Sequence, residues 1–254
     1  MHFKKLATLL IGLCLSSANL FSQEKLTLQK WDVDNVERTA WVHIPQLEEG
    51  DLAPLVFAWH GYGGSGQGIS RGLKIHSLWP EAIVVYPQGL DLPSYFNPRI
   101  KKPGWETRVG AEKNRDLKFF DVMLESFKKK NIVDENKIHS TGHSNGSAFT
   151  YVLLYERGNI FGSIASSSGF LSKPYRGRFP PKIPILHLAG ERDTVVLFDW
   201  QAPLIELLIK NNDCEGEEPW GDHPLCKIYL SKLNAPIVTY IHPGGHIMPR
   251  DAGK

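Results

Sequence analysis

Short apolar runs recur along the chain from residue 39 onwards, and glycine, proline or polar residues border each of them. Largely apolar runs of this length with such borders are typical of strands. The run AIVVYPQG is almost continuously apolar, as expected of a strand that is buried on both faces. The predicted strands are 39–45, 54–61, 82–89, 138–144, 161–169, 183–190 and 235–243.

Between these runs, the apolar residues follow a helical period. The residues that mark one face of the first predicted helix are Leu117, Phe120, Leu124 and Phe127. A second helix, marked by Ala148, Val152 and Tyr155, opens near residue 144, and a third covers 198–210.

The alternation of strands and helices predicts an α/β fold with a mostly parallel sheet and helices on both faces. The first two strands, 39–45 and 54–61, are separated by the polar stretch QLEEGDLA, which predicts an antiparallel hairpin and therefore a mixed sheet. A length of 254 residues fits one domain of this class. With 42% hydrophobic and 22% charged residues, the chain has the composition of an ordinary globular protein.

The N-terminal segment has the pattern of a secretory signal. Lys4 and Lys5 form a basic start, residues 6–15 are apolar, and small residues follow. We interpret 1–22 as a signal peptide and 23–254 as the folded domain, which predicts a secreted or periplasmic protein with no stable membrane span. A membrane anchor is the alternative, although the apolar run is short for a spanning helix.

Charge and cysteine content narrow the choice of partners. Without the two lysines of the signal peptide, the 29 basic residues fall to 27 and equal the 27 acidic ones, so nothing favours nucleic acid. Cys214 and Cys226 then form an even pair in an exported chain, and the polar, loop-like stretch between them predicts a disulfide. A metal site is the weaker interpretation, because His223 alone does not complete a tetrahedral ligand set.

Ser144 stands in the pattern G-x-S-x-G, within TGHSNGSAF. A predicted strand precedes it and a predicted helix follows, which is the context of a nucleophile elbow. In such an elbow Gly142 and Gly146 relieve crowding between strand and helix, and the hydroxyl stands at the carboxyl edge of the sheet. The alternative is a serine in an ordinary loop.

A serine nucleophile needs a base, and the base needs an orienting acid. Asp193 lies just beyond the strand 183–190, with Glu191 as the competing carboxylate. His246 follows the last strand and a Gly-Gly turn, whereas His242 is still within that strand and His223 belongs to the predicted disulfide loop. We therefore predict Asp193 as the acid and His246 as the base.

The glycine-rich stretch FAWHGYGGSG ends a predicted strand, so its backbone amides can approach a ligand closely. We predict that the amide groups of Tyr62 and Asn145 form an oxyanion hole for the charge that develops on an attacked carbonyl. A phosphate cradle is disfavoured, because the stretch lacks the G-K-[ST] ending of a P-loop.

The motifs HGYGGSG, NRDLKFFDVML, GHSNGSAF, LAGERDTVV and GGHIMP occur in this order over roughly residues 38–250. The chain therefore resembles the secreted polyhydroxybutyrate depolymerase and feruloyl esterase group of the α/β-hydrolases. The resemblance implies Ser144, Asp193 and His246 as the nucleophile, acid and base. It also implies that Trp105 lies near the acyl pocket and binds substrate, with a core aromatic as the alternative.

Two departures from the family pattern stand out. Ser147 replaces a glycine that usually follows the elbow, which should crowd the helix only slightly. The chain also stops at PRDAGK, where the family usually continues into a last helix. That helix is therefore expected to be truncated, with a less well anchored loop around His246.

The expected activity is hydrolysis of carboxylic esters through an acyl-enzyme on Ser144, with no metal or organic cofactor. The expected substrates are feruloyl esters of plant cell walls, because Tyr95, Phe96 and Trp105 would offer aromatic walls to an aryl acyl group. A polyhydroxybutyrate or other polyester depolymerase is the first alternative. A serine peptidase on the same fold and a non-enzymatic exported binding protein are the others.

Overall fold

The computed structural model describes residues 26–94, 97–172, 175, 177–249 and 252. The predicted signal peptide lies outside this part of the chain, as do most residues of the predicted final helix. The strands are β1 (Thr27–Val33), β2 (Val36–His43), β3 (Ala53–Trp59), β4 (Ile83–Pro87), β5 (Leu90–Pro93), β6 (Lys101–Gly104), β7 (Val133–His143), β8 (Ser163–Ser167), β9 (Ile185–Gly190), β10 (Cys214–Pro219), β11 (Cys226–Ser231) and β12 (Ile237–His242). The α-helices are α1 (Gly66–Leu73), α2 (Ile75–Leu78), α3 (Arg115–Lys128), α4 (Asn145–Arg157) and α5 (Phe198–Asn211).

Ten of these strands form one sheet in the order β1-β2-β4-β3-β7-β8-β9-β12-β11-β10. The central strands from β4 to β12 pair in parallel, and antiparallel pairs extend the sheet at both edges. The mostly parallel, mixed sheet predicted from the sequence is therefore confirmed. All five residues of β4 are buried, which accounts for its continuous apolar run.

The predicted pairing of the first two strands is wrong. β2 pairs with β1 and β4, and β3 lies on the far side of β4, so the stretch 44–52 crosses over instead of closing a hairpin. The true hairpin joins β1 to β2 through Asp34 and Asn35, both in the left-handed region with φ of 54° and 63°. Two-residue turns of this geometry favour Asn, Asp and Gly, so the signal was present in the sequence.

The helices bury the faces that the periodicity indicated. In α3, the residues Leu117, Phe120, Leu124 and Phe127 are all buried. The Phe120 ring meets the Phe57 ring of the sheet edge-on, with 5.0 Å between the ring centroids. Helix α4, which starts directly after Ser144, buries nine of its residues against the sheet. The start of α4 is thus held at the edge where β7 ends.

The predicted disulfide between Cys214 and Cys226 is also wrong. The stretch between them forms the antiparallel hairpin β10–β11, in which Cys214 lies opposite Ser231. Cys226 is five residues from Ser231 along β11, about 17 Å at the rise of a strand, whereas bridged cysteines need Cα atoms within about 7 Å. Hairpin pairing thus places the two cysteines at opposite ends of the same element.

The residues predicted to form the site follow parallel strands at their carboxyl ends. The loops that follow β3, β4, β7, β9 and β12 all emerge at this carboxyl edge, the usual ligand site of open α/β sheets. The small β5–β6 hairpin, which the sequence analysis did not predict, lies in the loop after β4. Within the described residues, no helix has the length and apolar character needed to cross a bilayer.

Candidate active site

Ser144 sits on a strained turn between β7 and α4, with φ of 57° and ψ of −118°. Its amide donates to the Ser167 carbonyl at 2.8 Å, which fixes the turn on the neighbouring strand β8. A Cβ on Gly142 would lie 2.4 Å from the Gly146 carbonyl oxygen, and a Cβ on Gly146 would lie 2.1 Å from the Trp59 carbonyl oxygen. Both glycines are therefore required by close backbone approach, as the sequence pattern predicted.

The structure brings Ser144, His246 and Asp193 into one hydrogen-bonded chain. His246 Nε2 lies 2.8 Å from Ser144 Oγ, and His246 Nδ1 lies 2.8 Å from Asp193 Oδ2. Because a carboxylate only accepts, Nδ1 carries the proton, and Nε2 is left to accept from the serine hydroxyl. The three residues are separated by 49 and 53 positions in sequence, and only the sheet edge brings them together.

Asp193 is held as a carboxylate. Its side chain is fully buried, and its Oδ1 accepts the amides of Val195 at 2.8 Å and Val196 at 2.9 Å. Burial on its own would raise the pKa of Asp193, but the hydrogen bonds from His246 and from these two amides outweigh it and lower the pKa. Glu191, the competing carboxylate, is exposed at the start of the same loop.

A series of hydrogen bonds between buried side chains supports the loop that carries Asp193. Tyr151 in α4 lies 2.6 Å from His187 Nδ1, and His187 Nε2 lies 3.1 Å from Gln201 Oε1. Gln201 in turn donates to the Val196 carbonyl at 2.7 Å. Burial lowers the pKa of His187 to about 4, so it stays neutral, with Nε2 donating to Gln201 and Nδ1 accepting from Tyr151. The sequence did not reveal this series of hydrogen bonds, because its residues are far apart along the polypeptide.

The departures from the family pattern are accommodated. Ser147 is fully buried and its hydroxyl forms a hydrogen bond with the Ser166 hydroxyl, so the extra group has a partner. The loop that carries His246 is tied to the Asp193 loop, since the Arg192 amide donates to the Gly244 carbonyl at 3.0 Å. The loop is thus anchored by its neighbour after β9.

The two other histidine candidates lie elsewhere. His242 is buried at the end of β12, where it accepts the Gly244 amide at 3.0 Å. His223 lies at the tip of the β10–β11 hairpin, with its ring 4.5 Å from the Tyr240 ring. Neither is the histidine that meets Ser144.

His143, directly before Ser144, is a feature that sequence analysis missed. Its ring centroid lies 5.0 Å from that of His246, and its Nδ1 lies 3.1 Å from Ser167 Oγ. Burial, followed by the charge of a protonated His246, lowers the pKa of His143 to about 4. It therefore stays neutral beside His246 and adds no positive charge to the site.

The glycine-rich loop after β3 lies against Ser144. A Cβ on Gly61 would be 3.4 Å from the Ser144 Cβ, which places the next residue, Tyr62, beside the elbow. His60 fixes the start of this loop, because its Nδ1 lies 2.8 Å from the Gly61 carbonyl and its Nε2 accepts the Gly89 amide at 3.0 Å. Asn145 is the first residue of α4, and amides in the first turn of a helix have no partner within the helix.

Trp105 lies in the core, and its burial does not support the predicted contact with substrate. Its side chain is fully buried, and its Nε1 donates to the His60 carbonyl at 2.9 Å. Its backbone is gripped by Asn145, whose Oδ1 accepts the Trp105 amide at 2.7 Å and whose Nδ2 donates to the Trp105 carbonyl at 2.9 Å. The burial and these contacts fit the alternative interpretation, a core aromatic. Tyr95 and Phe96 lie outside the described residues.

Glu106 and Asp116 form a buried acidic pair next to the contact between Asn145 and the Trp105 backbone. Glu106 accepts the amides of Asn114 and Asp116, each at 3.0 Å, and its own amide donates to Asp116 at 2.9 Å. Arg38, which is 2% exposed, donates to Asp116 at 2.8 Å. Burial raises the pKa of Glu106 to about 7, and the charge of Asp116 adds to the rise while the two amides oppose it.

This carboxyl group makes stability depend on pH. The pKa of Glu106 is raised above its ordinary value of 4.5, so the unfolded chain loses the proton first as pH increases. We expect the free energy of unfolding to fall between pH 4.5 and pH 7, by at most roughly 3 kcal/mol from this group. Urea unfolding at pH 5 and pH 8 measures the difference. Glu106→Gln should flatten the dependence, and an unchanged slope in that variant would contradict the assignment.

The arrangement has parts that acyl transfer requires. A hydroxyl, an imidazole and a buried carboxylate lie in hydrogen-bonded sequence, beside the first residue of α4 and the loop that contains Gly61. Among the described residues, no group of three or more histidine, cysteine or acidic side chains is arranged to hold a metal ion.

The sequence is similar to a known family and to two esterases. A family described as phospholipase/carboxylesterase matches residues 46–239. A probable feruloyl esterase C of Aspergillus niger is 26% identical over 203 residues, which cover 76% of this chain and 69% of that protein. Feruloyl esterase D of Neurospora crassa is 29% identical over 221 residues, 79% of this chain and 70% of that one.

A solved structure shares the fold. The acetyl xylan esterase from Aspergillus awamori superposes with a TM-score of 0.67 at 15% sequence identity. The match covers 88% of this chain and 95% of that one. At this level of identity the likeness shows the arrangement of strands and helices alone. The roles of the side chains rest on the geometry of the site.

Proposed function

The chain belongs to the phospholipase/carboxylesterase family of α/β-hydrolases and is a carboxylic ester hydrolase, and from this premise we propose that Ser144, His246 and Asp193 carry its reaction. The predicted α/β-hydrolase fold is thereby confirmed. The observation that supports the assignment most strongly is the unbroken chain of two 2.8 Å hydrogen bonds from Ser144 through His246 to Asp193.

In the proposed reaction, Ser144 Oγ attacks the ester carbonyl while His246 Nε2 takes the hydroxyl proton. The tetrahedral intermediate collapses, the bond to the alcohol oxygen breaks, and His246 returns the proton to the leaving alcohol. Water then attacks the acyl-enzyme, again with His246 as the base, and the acid is released. Asp193 holds the imidazole in the required tautomer and stabilises the imidazolium that forms.

The amide groups of Tyr62 and Asn145 are the proposed oxyanion hole. Tyr62 follows Gly61, which abuts the Ser144 Cβ, and Asn145 directly follows Ser144 at the start of α4. Each such donor typically lowers the barrier by about 2.7–4 kcal/mol. The Asn145 side chain is occupied by the Trp105 backbone, so we assign Asn145 two separate tasks: its amide serves the oxyanion, and its side chain fixes the loop after β6.

The proposed substrates are aryl esters of the feruloyl type, including those of plant cell walls. The support is the similarity over most of the chain to a probable feruloyl esterase C and to feruloyl esterase D. Trp105 is buried in the core and adds no support to the preference for aryl esters. Export to the cell exterior or periplasm is part of the proposal, and its support is the signal pattern of residues 1–22.

We expect purified protein to hydrolyse methyl ferulate with a higher kcat/KM than a hydroxybutyrate oligomer. A feruloyl amide should be turned over far more slowly than the ester, and a fluorophosphonate should label Ser144. Rates are measured by release of ferulate or hydroxybutyrate, and labelling is measured by peptide mass. A preference for the hydroxybutyrate oligomer would favour the depolymerase, rapid amide cleavage would favour the peptidase, and no labelling would favour the binding protein.

A further inference from the structure

The β5–β6 hairpin is bound to the loop that lies against Ser144. The Gly63 amide donates to the Pro103 carbonyl at 2.7 Å. The Tyr62 hydroxyl lies 3.1 Å from the Leu92 carbonyl and 3.0 Å from the Ile100 carbonyl, so its one proton is shared between the two arms of the hairpin. Whatever side chains this hairpin displays therefore border the proposed oxyanion hole.

Three exposed basic residues of the hairpin, Arg99, Lys101 and Lys102, are what we call the basic strip; Lys101 and Lys102 are consecutive in β6 and so point to opposite faces of the hairpin. Lys102 is the member that lies against the glycine-rich loop, because a Cβ on Gly63 would lie 3.2 Å from the Lys102 Cδ. Gly63 is only two residues from Gly61, which abuts Ser144. Two residues of backbone span at most about 7 Å, so the flexible Lys102 ammonium can reach the surroundings of a bound ester.

The basic strip has no acidic partner of its own. Among the described residues, no carboxylate lies within ion-pair distance of Arg99, Lys101 or Lys102. Asp91 is the exposed carboxylate on the hairpin, and Glu106 just beyond it is buried. Elsewhere on the surface, lysines such as Lys118 are paired. The strip is thus a local excess of positive charge beside the proposed active site.

We propose that the basic strip binds a carboxylate in the alcohol part of the substrate, as in a feruloyl ester attached to an acidic sugar such as a uronate. This inference rests on the proposed function. A feruloyl acyl group carries no charge, so an anion that meets the strip must belong to the alcohol part. The folded domain has no net charge to steer such a substrate from afar, so recognition depends on these local charges.

The test compares two feruloylated oligosaccharides that differ only in whether the uronate carboxyl is free or converted to an amide. The ratio of kcat/KM for the free acid to that for the amide should exceed one in the wild type. In Lys102→Gln that ratio should fall by about two- to fivefold, the effect of one exposed ion pair. It should also fall when salt is raised to shorten the screening length.

Lys129→Gln is the matched control. It removes the same charge from the residue directly after α3, in the connection that leads to the start of β7, and should leave the ratio at its wild-type value because Ser144 follows the other end of β7. Equal turnover of acid and amide by the wild type, or an equal drop in both variants, would overturn the proposal. If the wild type shows no preference for the free acid over the amide but binds anionic vesicles in a way that depends on Lys102, the strip would be assigned to a membrane surface instead.

Direct binding separates this proposal from the proposed function. A uronate trimer that carries no ester should bind the wild type, measured by titration calorimetry, and should bind Lys102→Gln more weakly by a similar factor. If neither feruloyl ester is hydrolysed, the proposed function fails, and the trimer still decides whether the strip binds a carboxylate. Identical affinity of both proteins for the trimer would overturn the carboxylate site alone.

Discussion

Replacing Ser144 by alanine is expected to reduce ester hydrolysis by roughly 10⁵- to 10⁶-fold while the protein remains folded. The change removes one oxygen atom and leaves the close contacts of Gly142 and Gly146 in place. His246→Ala should cost about as much, because the hydroxyl and the imidazole act as one unit, and the double variant should be no worse than either single one. Initial rates with methyl ferulate measure the effect.

Asp193→Asn provides a graded control. An amide cannot hold His246 in the same tautomer, since its nitrogen donates where the carboxylate accepts, and a loss of about 10⁴-fold is expected. Near-ultraviolet circular dichroism and thermal unfolding should show that all variants retain the fold. Retention of more than a few per cent of wild-type activity in purified Ser144→Ala would remove Ser144 from the role of nucleophile.

Trp105→Ala is expected to destabilise the protein by about 3–5 kcal/mol, the usual cost of removing a large buried aromatic. The indole is fully buried, meets the Trp59 ring edge-on at 4.9 Å between centroids, and stacks on Phe149 at 5.7 Å. Trp105→Phe keeps much of this packing but leaves the buried His60 carbonyl without its donor, and should cost about 1–3 kcal/mol. Urea unfolding measures both changes.

Trp200→Ala is the matched control, because this tryptophan is 46% exposed at the start of α5 and its loss should change stability by only about 0.5 kcal/mol. In Trp105→Ala, the loop whose backbone is hydrogen-bonded to Asn145 should be displaced, and activity should fall. The fall should appear in kcat and should be similar for all esters. Unchanged stability combined with a raised KM for aryl esters only would return Trp105 to the role of a substrate contact.

The sequence alone determined the parts of the site that are made by neighbouring residues. The elbow at Ser144 was predictable because its glycines, its strand and its helix lie within a few positions, and crowding in a tight turn is a local matter. The buried face of α3 was predictable for the same reason, since the period of the helix is set by the backbone. That Asp193 and His246 lie near Ser144 was predictable because each comes soon after a strand of a parallel sheet, and such strands end at the same edge.

Tertiary structure decided what depends on residues far apart in sequence. Which strand neighbours β2, and whether Cys214 meets Cys226, depend on pairing and register, which the composition of one segment does not specify. The burial of Trp105 and the chain from Tyr151 to Gln201 depend on several elements packing together. The placement of the basic strip depends on the hairpin docking against the glycine-rich loop after β3. Local geometry is encoded in short stretches, whereas burial and contact are properties of the assembled sheet and the elements packed around it.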